Sequence, residues 1–164
     1  MLKIISDSVK LKEYPSKKAV SLINASQNVK NQFAKLIDDG WCHVYAKALF
    51  GKPIGIVFLF TNLDDKDLAD GKNTCYICNF VVHPKFRGMG VGTEIMEHIF
   101  DVAKKNGFKQ MTIGVDEKIE KNVRLYKKLG FTKELKKSSL DASIKDKNGN
   151  HLPTKEHLIL AKDL

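Results

Sequence analysis

The chain has 164 residues, 43% of them hydrophobic and 29% charged, with 28 Lys+Arg against 19 Asp+Glu for a net charge of +9. That length suits one domain with a substantial core and is short for two. No apolar stretch approaches the roughly 20 residues of a membrane span, and Met1-Leu2-Lys3-Ile4-Ile5 turns polar too soon for a secretory signal, so the expected compartment is the cytoplasm and no membrane partner is expected. The positive charge suits anionic ligands such as cofactor phosphates, nucleic acid or acidic surfaces, and equally serves solubility. The basic residues are scattered, without the aromatic-interleaved stripe of single-strand binders, and nucleic acid is not an expected partner.

Residues 2–6 form a short apolar first strand. Pro15 suits the first position of a helix, and Ala19, Val20, Leu22 and Ile23 continue it as a stripe. Val29, Phe33, Leu36 and Ile37 mark a second helix ending near Asp38-Asp39-Gly40. Residues 41–50 and 53–60 read as a hairpin around Gly51-Lys52. Residues 61–73 carry Asp64, Asp65, Asp67 and Asp70 and form a loop, after which residues 74–82 form a strand. Val91, Ile95, Ile99, Val102 and Ala103 recur at helical spacing up to Asn106-Gly107. Residues 109–115 make a strand, and residues 120–129 a helix closed by Gly130 and Phe131. Residues 131–136 and 157–161 are the last two strands, around a polar stretch containing the turn Lys147-Asn148-Gly149-Asn150. The order β-α-α-β-β-β-α-β-α-β-β predicts an α/β (α+β) domain over residues 1–164: a central twisted mixed sheet with helices on both faces.

Cys42, Cys75 and Cys78 cannot all pair within the chain. Cys75 and Cys78 form a C-x-x-C that invites a metal or redox reading. Residues three apart on a strand, however, point to opposite faces, and no second C-x-x-C or histidine pair completes a zinc site. The thiols are expected to be reduced and structural, and no metal is expected.

The most specific signal is Asn79-Phe80-Val81-Val82-His83-Pro84-Lys85-Phe86-Arg87-Gly88-Met89-Gly90-Val91-Gly92. An apolar strand stops at Pro84, which donates no ladder hydrogen bond. Gly88, Gly90 and Gly92 permit backbone angles and a close ligand approach that other residues forbid. The free N–H groups of the first helical turn point at an anion, and Arg87 adds a planar cationic fork suited to phosphate. The run is neither the G-x-G-x-x-G dinucleotide fingerprint nor a Walker A loop, since no Gly-Lys-Ser/Thr follows. A glycine-rich turn without a ligand is the plainer alternative.

This strand–Val-His-Pro-x-x-Arg-Gly-x-Gly-x-Gly–helix arrangement resembles the acetyl-CoA-binding core of the GNAT superfamily of N-acetyltransferases. Arg87, Gly90 and Gly92 fall on its [Q/R]-x-x-G-x-[G/A] pattern, and Leu125-Tyr126-Lys127-Lys128-Leu129-Gly130-Phe131 resembles the L-Y-x-K-x-G-F end of a later family helix. The resemblance implies a GNAT-like fold and acetyl-CoA as co-substrate. It implies that the backbone of Phe80, Val81 and Val82 pairs with the pantetheine arm. Arg87, Gly88, Met89, Gly90, Val91, Gly92 and Thr93 would wrap the pyrophosphate, and Tyr126 would protonate the departing thiolate. Two positions depart from the family pattern. Ile119 stands where relatives often carry Asn, with Asn122 one turn later, and Cys78 stands where many carry Glu.

The implied reaction is direct attack of a primary amine on the thioester, and an amine with pKa near 10.4 is well under about 1% neutral at pH 7. Asp116 and Glu117 are candidate bases, with His43 and His83 behind them; each has a plain structural alternative. The acceptor, a small molecule or a peptide, is set by the first two helices, the acidic 61–73 loop and residues 138–156. The acidic loop either draws a cationic amine or is a solvated face. A homodimer is compatible with the resemblance. A non-catalytic acyl-CoA-binding or regulatory module on the same fold, and a basic nucleic-acid binder, are the alternatives.

Overall fold

Strand and helix periodicities sort residues 11–164, those described by the computed structural model, into one sheet with helices on both faces. The strand expected at residues 2–6 lies outside the described residues. In chain order the elements are β1 (Leu11–Tyr14), α1 (Ser16–Val20), α2 (Gln27–Asp38), β2 (Cys42–Leu49), β3 (Lys52–Phe60), β4 (Thr74–Val82), a 3-10 turn (Pro84–Phe86), α3 (Val91–Lys105), β5 (Gln110–Val115), α4 (Glu120–Lys128), β6 (Lys133–Lys145) and β7 (His151–Asp163). The seven described strands run in the order β1-β2-β3-β4-β5-β7-β6. The β4–β5 pair is parallel and its neighbours pair antiparallel.

Each face of the sheet carries its own core. On one face α3 buries Val91, Ile95, Met96, Ile99, Phe100 and Ala103 against Val57, Ile77, Met111 and Leu160, and Val123, Tyr126 and Leu129 of α4 pack beside them. On the other, Phe33 of α2 and Ala19 of α1 close over Val44, Phe58 and Phe60. Cys75 belongs to the first core and Cys78 packs on the second. The C-x-x-C thus straddles the sheet, as the two-residue repeat of a strand demands.

Three expectations need correction. Pro15 is the extended residue before α1 (ψ 159°) rather than its first helical residue. The helix ends at Val20, short of Leu22 and Ile23, where the Ser21 hydroxyl donates to the Lys18 carbonyl. The last two strands are 13 residues each instead of the short segments expected at 131–136 and 157–161. Their charged outer arms are solvated, so the polar pattern hides strands held by the backbone ladder; the turn at 147–150 is where the sequence puts it, with Gly149 at φ +83°.

The acidic 61–73 loop is neither a lure nor a bare solvated face. Leu63, Leu68 and Ala69 are buried beneath it, and the Thr112 hydroxyl donates to the Leu68 carbonyl at 2.8 Å. Lys136 bridges Asp65 (2.7 Å) and Asp67 (3.0 Å), while Asp64 accepts from Lys145 and from His151 (3.2 Å), so three carboxylates tie the loop to the β6–β7 hairpin. Asp70 Oδ1 accepts from the backbone N–H groups of Lys72, Asn73 and Thr74.

Those bonds hold two carboxyls below the usual range: Asp64 chiefly through Lys145, Asp70 chiefly through the Thr74 N–H. A carboxylate depressed on folding adds stability above its unfolded pKa of about 3.9 and loses it as pH falls through its folded value. The urea unfolding free energy should therefore drop between about pH 5 and pH 3. Asp70→Asn should flatten part of that slope; an unchanged slope would mean that Asp70 does not carry it.

Candidate active site

The site begins where β4 leaves its parallel partner. The ladder between β4 and β5 ends at Ile77↔Ile113, although β4 runs on to Val82. The β3–β4 register shifts between Ile56↔Val81 and Phe58↔Cys78, and Asn79 sits at φ +50° in that bulge. An extra residue re-aims the side chains that follow. Asn79 joins Tyr76 and Cys78 along one groove, while Phe80, Val81 and Val82 line another on the α3 side. The β5-facing edge of the strand beyond Ile77 has no partner strand among the described residues.

His83 caps the 3-10 turn by accepting the Lys85 N–H, with its ring edge-on to Phe86, so it is turn structure. Arg87 Nε donates to the Val82 carbonyl at 2.9 Å, tying the guanidinium to the end of β4. Gly90 begins α3 in the left-handed region at φ +84°, where a side chain is strained. Its carbonyl accepts the first helical bond, from Glu94, which leaves the N–H groups of Val91, Gly92 and Thr93 without intrahelical partners. A Cβ on Gly92 would lie 3.2 Å from the Phe80 ring, a tight contact that the ring would have to yield to, so glycine eases the close start of α3 on the strand.

Under this turn lies a charge pair that no local pattern announces. Lys47, 4% exposed on β2, forms an ion pair with Glu94 in the first turn of α3. A buried ammonium needs such a partner, and the pair fixes the helix start to the sheet.

The first groove, about 540 Å³, is walled by Phe80–Val82, Arg87, Gly88, Gly90, Gly92 and Thr93 on one side and by α4 on the other. Two residues expected here are placed differently. The Val91 side chain is core, 4% exposed, and Met89 points outward, so at these positions only the backbone can face a ligand. Asn122 and Tyr126, one turn apart on α4, both line the groove, whereas Ile119 is the exposed N-cap. The Phe131 N–H donates to the Tyr126 carbonyl around Gly130 (φ +102°), closing the helix. Phe131 then packs edge-on against Tyr126 with centroids 6.3 Å apart, and burial pushes the phenol pKa up.

The second groove, about 440 Å³, opens on the opposite face between α2, β4 and the β6–β7 hairpin. Asp116 lines it but is committed: it pairs with Lys155 at 2.7 Å, which with the Lys118 N–H holds its carboxyl low and makes it a weak base. Glu117 pairs with Lys137 at 3.0 Å, and His43 lies on β2 against Glu13 at 2.6 Å, in neither groove. Cys78 is a packed thiol whose pKa burial raises well above its ordinary value.

Sequence reasoning missed His157 and Tyr76. A Cβ on Gly114 would meet the His157 ring at 2.8 Å and the Tyr76 hydroxyl at 3.3 Å, so both converge over bare backbone just past the last β4–β5 rung. His157 Nδ1 lies 3.0 Å from the Lys155 carbonyl. A carbonyl only accepts, so that nitrogen carries the proton and Nε2 of the neutral ring keeps its lone pair. The local signal was Gly114 inside an apolar strand, a mark of close approach.

Comparisons with known proteins bear on the family and the fold. The model of the acetyltransferase (GNAT) family matches residues 13–131. The chain is 28% identical over 93 residues to an L-methionine sulfoximine/L-methionine sulfone acetyltransferase of Salmonella typhimurium, covering 53% of this chain and 54% of that protein. The chain spans about half or less of the curated relatives it matches. An IAA acetyltransferase from Bacillus cereus superposes with a TM-score of 0.65 at 23% identity, over 96% of this chain and all of that one. A GNAT family acetyltransferase from Elizabethkingia anophelis with acetyl-CoA bound superposes with a TM-score of 0.64 at 20% identity, over 96% and 99%.

Glu94→Gln should strand the Lys47 ammonium and lower the urea unfolding free energy by about 2–4 kcal/mol. Adding Lys47→Met should restore much of that loss, because the double variant leaves no unpaired buried charge. A single variant as stable as the parent would show that the pair does not anchor α3.

Proposed function

The chain belongs to the acetyltransferase (GNAT) family, and we propose that it uses acetyl-CoA to acetylate a primary amine by direct attack, with cofactor and acceptor entering from opposite faces of the sheet. One observation carries this reading: the consecutive residues Asn79 and Phe80 line different grooves. Ligands in the two grooves meet where β4 and β5 part.

In this reading the pyrophosphate sits on the unpaired N–H groups of Val91, Gly92 and Thr93, at the positive end of α3. The terminal nitrogens of Arg87, whose Nε is already fixed by Val82, face it as well. The pantetheine arm follows the open edge of Phe80–Val82, and Asn122 supplies a polar contact where Ile119 cannot. The amine nitrogen attacks the thioester carbon, a C–N bond forms and the C–S bond breaks. The ammonium proton passes to His157 Nε2, the departing thiolate takes the Tyr126 phenol proton, and the second nitrogen proton, shed as the amide forms, restores the phenol. Burial raises the Tyr126 pKa, which keeps the proton in place at neutral pH and makes its transfer to a thiolate of pKa about 8.5 uphill, so the two must be held within hydrogen-bond reach.

Thermal unfolding with acetyl-CoA at about 100 times its Kd should gain about 2.7 kcal/mol, a rise in Tm of roughly 5–10 °C. Gly90→Glu should abolish it. No shift at millimolar acetyl-CoA would overturn the reading. Tyr126→Phe should lower kcat by about 10²–10⁴-fold while keeping the thermal shift. His157→Gln should lower kcat by a factor within the same order, with KM for acetyl-CoA unchanged. Full turnover in either variant would remove that residue from the proton path.

A further inference from the structure

The second groove has asymmetric walls. Ile23, Val29 and Phe33 form an apolar side. The other side is shaped by a distortion of β6: between the pairs Leu140↔Pro153 and Lys145↔His151, residues 141–144 face only Leu152. Asp141 builds this bulge. Its Oδ1 accepts from the Ser143 N–H (2.8 Å), the Ser143 hydroxyl (2.9 Å) and the Ile144 N–H (2.9 Å). Gln32 of α2 then clasps the bulge, donating to the Lys145 carbonyl and accepting the Lys145 N–H, both at 2.9 Å. Asp141 Oδ2 keeps no partner among the described residues.

Tyr76 is a second and independent feature of the same cavity. It is 8% exposed, lines the groove, and its hydroxyl has no hydrogen-bond partner among the described residues. The ring is buried while the hydroxyl opens on the groove, where a ligand can reach it. The Asp141 charge reaches both Tyr76 and Cys78, whose ionisation it opposes after the larger effect of burial. The lining lysine, Lys155, is committed to Asp116, and no arginine lines the groove. Asn79, Thr154 and His157 also line the groove, but among the described lining residues no uncommitted cation balances a carboxylate.

We propose that this groove selects a primary ammonium at the end of an apolar arm, with no carboxylate beside the amine. The ammonium donates to Asp141 Oδ2 and to the Tyr76 hydroxyl oxygen, and the arm lies on Ile23, Val29 and Phe33. Acetylation of this ligand rests on the transferase reading above; its binding does not.

The test titrates three probes into the 164-residue protein without acetyl-CoA at pH 7, followed by isothermal calorimetry and amide chemical shifts: 3-methylbutylamine, leucine, and 3-methylbutanol. The amine is expected to bind, and leucine and the alcohol to bind at least about tenfold more weakly, the scale of one charge-assisted hydrogen bond. Asp141→Asn keeps an oxygen for the bulge and removes only the charge. It should weaken the amine by roughly 10- to 100-fold and leave the alcohol unchanged. Tyr76→Phe should weaken the amine in the same direction. Absence of amine binding, equal binding of leucine, or an Asp141→Asn variant with unaltered amine affinity would overturn the proposal. Thiol release from acetyl-CoA separates the two ideas. Amine binding without release leaves the groove assignment standing and refutes the transferase reading. Release whose amine KM ignores Asp141→Asn does the reverse.

Discussion

The parallel ladder between β4 and β5 stops after Ile77↔Ile113, and the geometry of the site follows from that interruption. A continuous ladder would pair the edge of residues 80–82 with a neighbouring strand and leave no backbone for a ligand. It would also hold Gly114 in the sheet interior, away from the opening that His157 and Tyr76 overlook. The Asn79 bulge completes the arrangement by inserting one residue, so that the side chains after it change face. Positive φ costs a non-glycine residue energy, and Asn tolerates it better than most. Strain here is localised where the two grooves touch.

Charge is partitioned across the sheet rather than spread. The excess of 28 basic over 19 acidic residues does not produce a uniform positive surface at the site. On the α3 face, the glycine turn combines unpaired N–H groups with Arg87, a place for an anion. On the opposite face, Lys136, Lys145 and Lys155 are consumed by Asp65, Asp67, Asp64 and Asp116. Those pairs are partly exposed and individually weak. Their effect is geometric: they hold the 61–73 loop and the end of β5 against the last hairpin, and they leave Asp141 as a carboxylate with a free oxygen in the groove.

Buried polar contacts do the joining that apolar packing cannot specify. Lys47–Glu94 sets where α3 begins relative to β2, Thr112 pins the 61–73 loop through the Leu68 carbonyl, and Gln32 fastens α2 to the β6 bulge. Each costs stability if left half-made. Together they fix the walls of the two grooves with a directionality that hydrophobic burial lacks.

Residues close in sequence determined the groove on the α3 face by themselves. Residues 79–93 contain strand, stop, glycines and cation in one run, and 125–131 contain the tyrosine and its helix cap, because strand endings, positive φ and helix capping are local backbone physics. The apolar runs of β3 and β4 and the helical stripes of α2 and α3 were legible for the same reason. The groove on the opposite face was decided only by tertiary structure. Tyr76, Gly114, Asp141 and His157 lie on four different strands, and their convergence depends on register and on where a ladder ends. The full length of β6 and β7 was hidden because exposed strands held by backbone pairing carry polar side chains. Lys47 likewise looks like any surface lysine until Glu94, 47 residues away, is brought against it.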